Sequence, residues 1–225
     1  EDVFFEDFKK NVLPTLAVIR FQGGEPFLMK RQWAIVDSII ESGLSKDILI
    51  GYHTNGTIWN DAIADKLSKF KEVNLCLSID DVGERFEYIR HPGNWSDVKN
   101  NLESIVAWSS VDTDARDLLI NCVVTPYNLL TLHELIDCCV SNNIPLNLHA
   151  TNFPKHFSIS NIPENLKHIF IEKLRSKTYS TEYNDELENV ISVLLGEGSA
   201  EQWELFLKTS RLHDNYRNEN FEKTF

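Results

Sequence analysis

Val73-Asn74-Leu75-Cys76-Leu77-Ser78-Ile79-Asp80 is the stretch that decides how the chain is built. Val73, Leu75, Leu77 and Ile79 fall on one side, and Asn74, Cys76, Ser78 and Asp80 on the other, at the two-residue period of a strand. A parallel strand buried on both faces would read as an unbroken apolar run. Here one face is covered and the other is polar. The same split recurs along the chain. It pairs Arg20 with Gln22 in a strand over 16–22, and His53 with Asn55 around 48–54. It also pairs Asn121 with Thr125 over 118–125, and Asn147 with His149 over 144–151.

Helical periodicity fills the intervals at 28–42 (stopping at Gly43), 58–70, 95–108 and 129–141, after an opening helix over 4–13 that runs into Pro14. Strands alternating with helices are the pattern of βαβ units, so an α/β fold with a parallel sheet is expected. The polar rows are then expected to line the inside of a curved sheet, wet or filled by a polar ligand, since a closed barrel packed with Val and Leu would not carry them. A loop containing Gly83, His91, Pro92 and Gly93 interrupts the rhythm once. After Thr151 it stops. A loop over 152–163 leads to helices near 164–176, 183–195 and 200–217, and 218–225 reads as a tail cut short. The division is a core over 1–151 and a helical C-terminal extension over 152–225.

The first strand ends in Gly23-Gly24-Glu25-Pro26. Two glycines permit positive φ and bring bare backbone within reach of a ligand. Pro26 has no N–H to extend the sheet, so the strand stops there. Such a turn at the carboxyl end of a strand is where α/β folds bind ligands. Glu25 reads as a structural group bonding backbone across the barrel mouth.

The 225 residues, 42% hydrophobic and 25% charged, suit one large domain. The apolar runs are strand-sized, too short to span a membrane, and no basic-then-apolar leader opens the chain. A net charge of −12 argues against a nucleic-acid partner, which needs clustered Lys and Arg. Cys76, Cys122, Cys138 and Cys139 show no metal-ligand or disulfide spacing and read as reduced, mostly buried thiols of a cytoplasmic protein. Trp33, Trp59, Trp95, Trp108 and Trp203 all fall on predicted helices and read as packing residues.

Taken together, Gly23-Gly24-Glu25-Pro26, Thr54-Asn55-Gly56-Thr57, and Ser78-Ile79-Asp80 followed by Arg90 resemble the radical S-adenosylmethionine (SAM) enzymes. More narrowly, the run from Ser78 to Trp95 is similar to radical SAM proteins with a short C-terminal twitch extension. Phe157-Ser158-Ile159, Ile162-Pro163, Asp214 and Tyr216-Arg217 point the same way. The resemblance covers most of the chain. It implies a partial (β/α)6 TIM-like barrel, here lacking its first strand, with SAM and a [4Fe-4S] cluster at the carboxyl ends of the strands. It also implies reductive cleavage of SAM to a 5′-deoxyadenosyl radical that abstracts hydrogen from a small-molecule or peptide substrate, and an electron donor such as flavodoxin or ferredoxin. By the same resemblance, the backbone of Gly23, Gly24 and Glu25, closed by Pro26, receives the methionine amino group. Ser78 and Arg90 hold the carboxylate, a task suited to a hydroxyl and a planar charged fork. Asp80 and Thr54-Asn55 lie near the ribose or shape the site, and Asn121 and Val123 neighbour the nucleoside.

The family holds its cluster in a Cys-x3-Cys-x2-Cys loop, and no such run, nor auxiliary-cluster cysteines, occurs in this sequence. The chain opens on Glu1, so the first strand and the cluster ligands are expected upstream, and the isolated chain is expected to be inactive. Two other readings stay open. One is a non-catalytic partial barrel that binds SAM, a nucleotide or a protein and has lost its cluster. The other is a cofactor-independent α/β-barrel enzyme using Asp80 and His149 as acid and base. Without the resemblance, Arg90 reads as a surface residue pairing with Glu84 or Glu87, and His149 as a hydrogen-bonded strand residue. Asp80-Asp81 lacks the further ligands a metal would need.

Overall fold

The computed structural model describes residues 3–224. Glu1 and Phe225, on which the readings of a fragment and a cut tail rest, lie outside the described residues. Five strands, β1 (Val18–Phe21), β2 (Leu49–Thr54), β3 (Glu72–Ser78), β4 (Arg116–Val124) and β5 (Leu146–Ala150), form one parallel sheet in chain order. The helices before β4 are α1 (Val3–Asp7), α2 (Lys30–Glu41), α3 (Asp61–Leu67), α4 (Gly83–Ile89) and α5 (Trp95–Ser109). After it come α6 (Leu132–Asn142), α7 (Glu164–Leu174), α8 (Thr181–Leu194), α9 (Ala200–Arg217) and α10 (Phe221–Thr224). Packing divides the chain into two units. The first runs to Ser78 and includes Ser96–Leu119; the second comprises Ile79–Trp95 and the residues from Ile120 onward.

In the first unit the covered face of the sheet is Ile50 and Tyr52 of β2 with Val73, Leu75 and Leu77 of β3, all buried. Val36 and Ile39 of α2, Ile63 and Leu67 of α3, and Val98, Leu102 and Ile105 of α5 are buried too. Their three- and four-residue spacings put one apolar stripe on each helix. The polar rows also hold. Arg20 sits opposite Gly51, Gly51 opposite Asn74, and His53 opposite Cys76. Arg20 and His53 are exposed, while Asn74, Cys76 and Ser78 are half-buried.

Two boundaries in this unit differ from expectation. The helix expected from Ile58 begins at Asp61, because Asn60 caps it, its Oδ1 accepting from Ile63 N at 3.0 Å. Trp59 therefore lies in the preceding loop, its ring 5.3 Å from Trp108 and 6.2 Å from Phe27. The helix expected from Leu28 begins at Lys30, because Pro26–Leu28 form a single 3-10 turn.

In the second unit Leu132, Leu135, Ile136 and Cys139 form the buried stripe of α6, and Leu187, Val190, Ile191 and Leu194 that of α8. Burial pushes the Cys139 thiol up to about 12, as expected of an unreactive core cysteine. The stretch read as a loop contains α4, seven residues that turn Phe86 and Tyr88 inward. Of the two or three helices expected near 164–176, 183–195 and 200–217, all three are present, as α7, α8 and α9, and the tail carries α10. No helix among the described residues is long and apolar enough to cross a membrane.

Candidate functional site

In the first unit the chain leaves β1 through Gly23 and Gly24, at φ +87° and +58°. A Cβ added to either would meet nothing within 4 Å, so backbone conformation alone calls for glycine here. Both residues are exposed, and neither carbonyl has a partner among the described residues. Glu25 turns inward. Its Oε1 accepts from Thr54 Oγ1 at 2.7 Å and Phe27 N at 3.2 Å, and its Oε2 from Asn55 N at 2.8 Å. Asn55 Oδ1 in turn accepts from Thr57 N and Oγ1 at 2.9 and 2.6 Å. Glu25 thus ties the turn after β1 to the turn after β2 with neutral donors, the structural role expected of it. Below the turn, Pro26 and Phe27 are buried, the Phe27 ring 4.7 Å from Tyr52. Ser78 ends β3, and its hydroxyl has no partner among the described residues.

In the second unit Asp80 is the centre. It was expected on the polar row with Ser78, but β3 stops at Ser78 and Asp80 turns inward, only 5% exposed. Its Oδ1 accepts from Val123 N at 2.8 Å and its Oδ2 from Arg90 Nε at 2.6 Å. Arg90 therefore pairs with neither Glu84 nor Glu87, whose Oε1 instead accepts from Trp95 N. The terminal nitrogens of Arg90 have no partner among the described residues. With both oxygens engaged, Asp80 is poorly placed to serve as an acid or base. His149 is exposed on β5, and Asn121 accepts from Asn147 Nδ2 at 2.5 Å across β4 and β5.

The residue that sequence reading missed is Asn128. It is 1% exposed and donates to the Asp80 carbonyl at 2.7 Å and the Val123 carbonyl at 3.0 Å, while accepting from Thr125 N at 2.9 Å. It pins the chain after β3 to the end of β4. A Thr-Pro-Tyr-Asn turn after a strand was the available signal, though nothing in it names Asp80. The end of α9 secures the α4 turn that carries Arg90. Tyr88 Oη donates to Asp214 at 3.0 Å, and Arg217 Nη1 to the Tyr88 carbonyl at 3.1 Å. Asp81 belongs to another contact. Burial pushes its carboxyl up, against the hydroxyl of Thr131, the N–H of Val82 and the Arg85 guanidinium. Among the described residues no group of three or more His, Cys, Asp or Glu could hold a metal ion.

The structure resembles anSMEcpe solved with bound AdoMet and a Cp18Cys peptide, at 19% identity and a TM-score of 0.52, over 89% of this chain and 60% of that one. With bound AdoMet and a Kp18Cys peptide, the same protein matches at 20% identity and 0.52, over 89% and 59%. The chain thus spans about 60% of the length of these structures. At such identity the likeness speaks for the fold alone. No family model matches the sequence, and no curated protein matches it.

Proposed function

We propose that the chain is part of a radical SAM enzyme of the twitch type, its strands belonging to a partial (β/α)6 barrel and its residues after 151 to the extension. The observation that carries the reading is the likeness over 89% of the chain to a protein solved with bound AdoMet. The residues fit SAM. The exposed carbonyls of Gly23 and Gly24 suit an ammonium group. The Ser78 hydroxyl and the terminal nitrogens of Arg90 suit a carboxylate. Glu25, Thr54 and Asn55 fix the turn around that backbone, and Asp80 aims Arg90. Asn121 and Val123 are assigned to the nucleoside.

A [4Fe-4S] cluster would supply the electron for reductive cleavage of SAM to the 5′-deoxyadenosyl radical. The four cysteines here do not fit such a cluster: Cys122 and Cys139 are buried, and Cys76 and Cys138 lie on β3 and α6. This reading assigns its ligands to a Cys-x3-Cys-x2-Cys loop upstream of Glu1 and its reduction to a flavodoxin or ferredoxin in the cytoplasm. A peptide is the favoured substrate class, because anSMEcpe was solved with one. The test is anaerobic reconstitution of the full-length gene product with iron and sulfide, followed by dithionite and SAM. Release of 5′-deoxyadenosine is expected. A complete reading frame without the cysteine loop, and no 5′-deoxyadenosine, would overturn the proposal.

A further inference from the structure

We infer that the polar row Arg20, Gly51 and Asn74 of the first unit, with His53 on the next row, is a binding site for an oxyanion, the carboxylate or phosphate group of a ligand. Gly51 stands inside β2, where glycine weakens a strand and marks the close approach of another group. The approaching group is Arg20. A Cβ at position 51 would stand 3.0 Å from Arg20 Cγ and 3.5 Å from its Cδ and Nε. With Arg20 opposite Gly51 and Gly51 opposite Asn74, the arginine lies along the sheet face over β2, in the direction of β3.

Arg20 is exposed and has no carboxylate or hydrogen-bond partner among the described residues, in a chain with 34 acidic residues and a net charge of −12. Arg85, Arg90, Arg175 and Arg217 each pair with a carboxylate. A glycine placed so that a cation can lie flat leaves a planar fork of donors that matches the paired oxygens of a carboxylate or phosphate. The exposed His53 and the half-buried Asn74 flank it with further donors. None of these four residues belongs to the proposed SAM set, and the inference stands without that reading.

The test is titration of the ¹⁵N-labelled chain with inorganic phosphate and, separately, with succinate at constant ionic strength, following the Arg20 Nε–H and His53 resonances. Saturable shifts are expected with at least one of the two and none with chloride. A response to phosphate alone assigns a phosphorylated ligand, and a response to succinate alone a carboxylate. Arg20→Gln should weaken binding by about tenfold or more, and Arg20→Lys, which keeps charge but not the fork, by less. Gly51→Ala should also weaken binding, since the arginine stem must lift to admit a methyl group. Arg20 is exposed, so Arg20→Gln should leave backbone resonances away from the row unchanged. Shifts that fail to saturate, or an Arg20→Gln chain that binds as tightly as the wild type, would overturn the inference. SAM titration of the same variants reports on the SAM site separately, and Arg20→Gln should leave it unchanged.

Discussion

Glu25 in the first unit and Asp80 in the second are both carboxylates with every oxygen occupied, yet their partners differ. Glu25 accepts from a hydroxyl and two backbone amides in two neighbouring turns. Asp80 accepts from one amide of β4 and from a guanidinium, and its own carbonyl is held by Asn128. The first arrangement fixes backbone. The second also aims a cation, whose terminal nitrogens are the ones proposed to hold the SAM carboxylate. A turn that must present carbonyls gains from neutral donors that add no competing charge, whereas a site that must hold an anion gains from a positioned arginine.

The difference can be broken at Asn128 first. Asn128→Ala would leave the Asp80 and Val123 carbonyls and the Thr125 amide without their buried partner. It should destabilise the protein by about 3 kcal/mol in chemical denaturation, with no change in the dependence on denaturant. A loss under about 1 kcal/mol would mean that the clamp is not what holds the second unit's site together. Glu25→Gln is the smaller perturbation. The amide can accept on one side only, so either the Thr54 hydroxyl or the Asn55 amide loses its acceptor, for a cost of about 1–2 kcal/mol. The half-buried glutamate sits on a turn that solvent can reach, which keeps the effect below that at Asn128. Equal losses at the two sites would mean that the two units hold their carboxylates equally firmly.

The same contrast explains what could be read from the sequence. The turn at Gly23-Gly24-Glu25-Pro26 is local, and its role follows from the conformations open to glycine and proline. The apolar residues of β2 and β3 and the stripes of α2, α5, α6 and α8 follow from periodicity alone. Asp80 does not. The alternation of residues 73–79 extrapolates it onto the polar face, and only the end of β3 at Ser78 and an asparagine 48 residues away send it inward. α4 escaped because seven residues give too few turns to show a stripe, and Trp59 because the Asn60 cap lies inside an otherwise helical run. The motif resemblance placed Ser78 and Arg90 in one role, but it carried no sign that Asp80 orients the arginine.

Calorimetric titration of SAM into the full-length gene product, with Ser78→Ala and Arg90→Ala beside the wild type, tests the proposed site most directly. Saturable binding is expected in the wild type, weakened by about tenfold or more in Arg90→Ala and by less in Ser78→Ala, in line with a charged against a neutral hydrogen bond. Affinity unchanged in both variants, or no saturable binding by the wild type, would contradict the assignment.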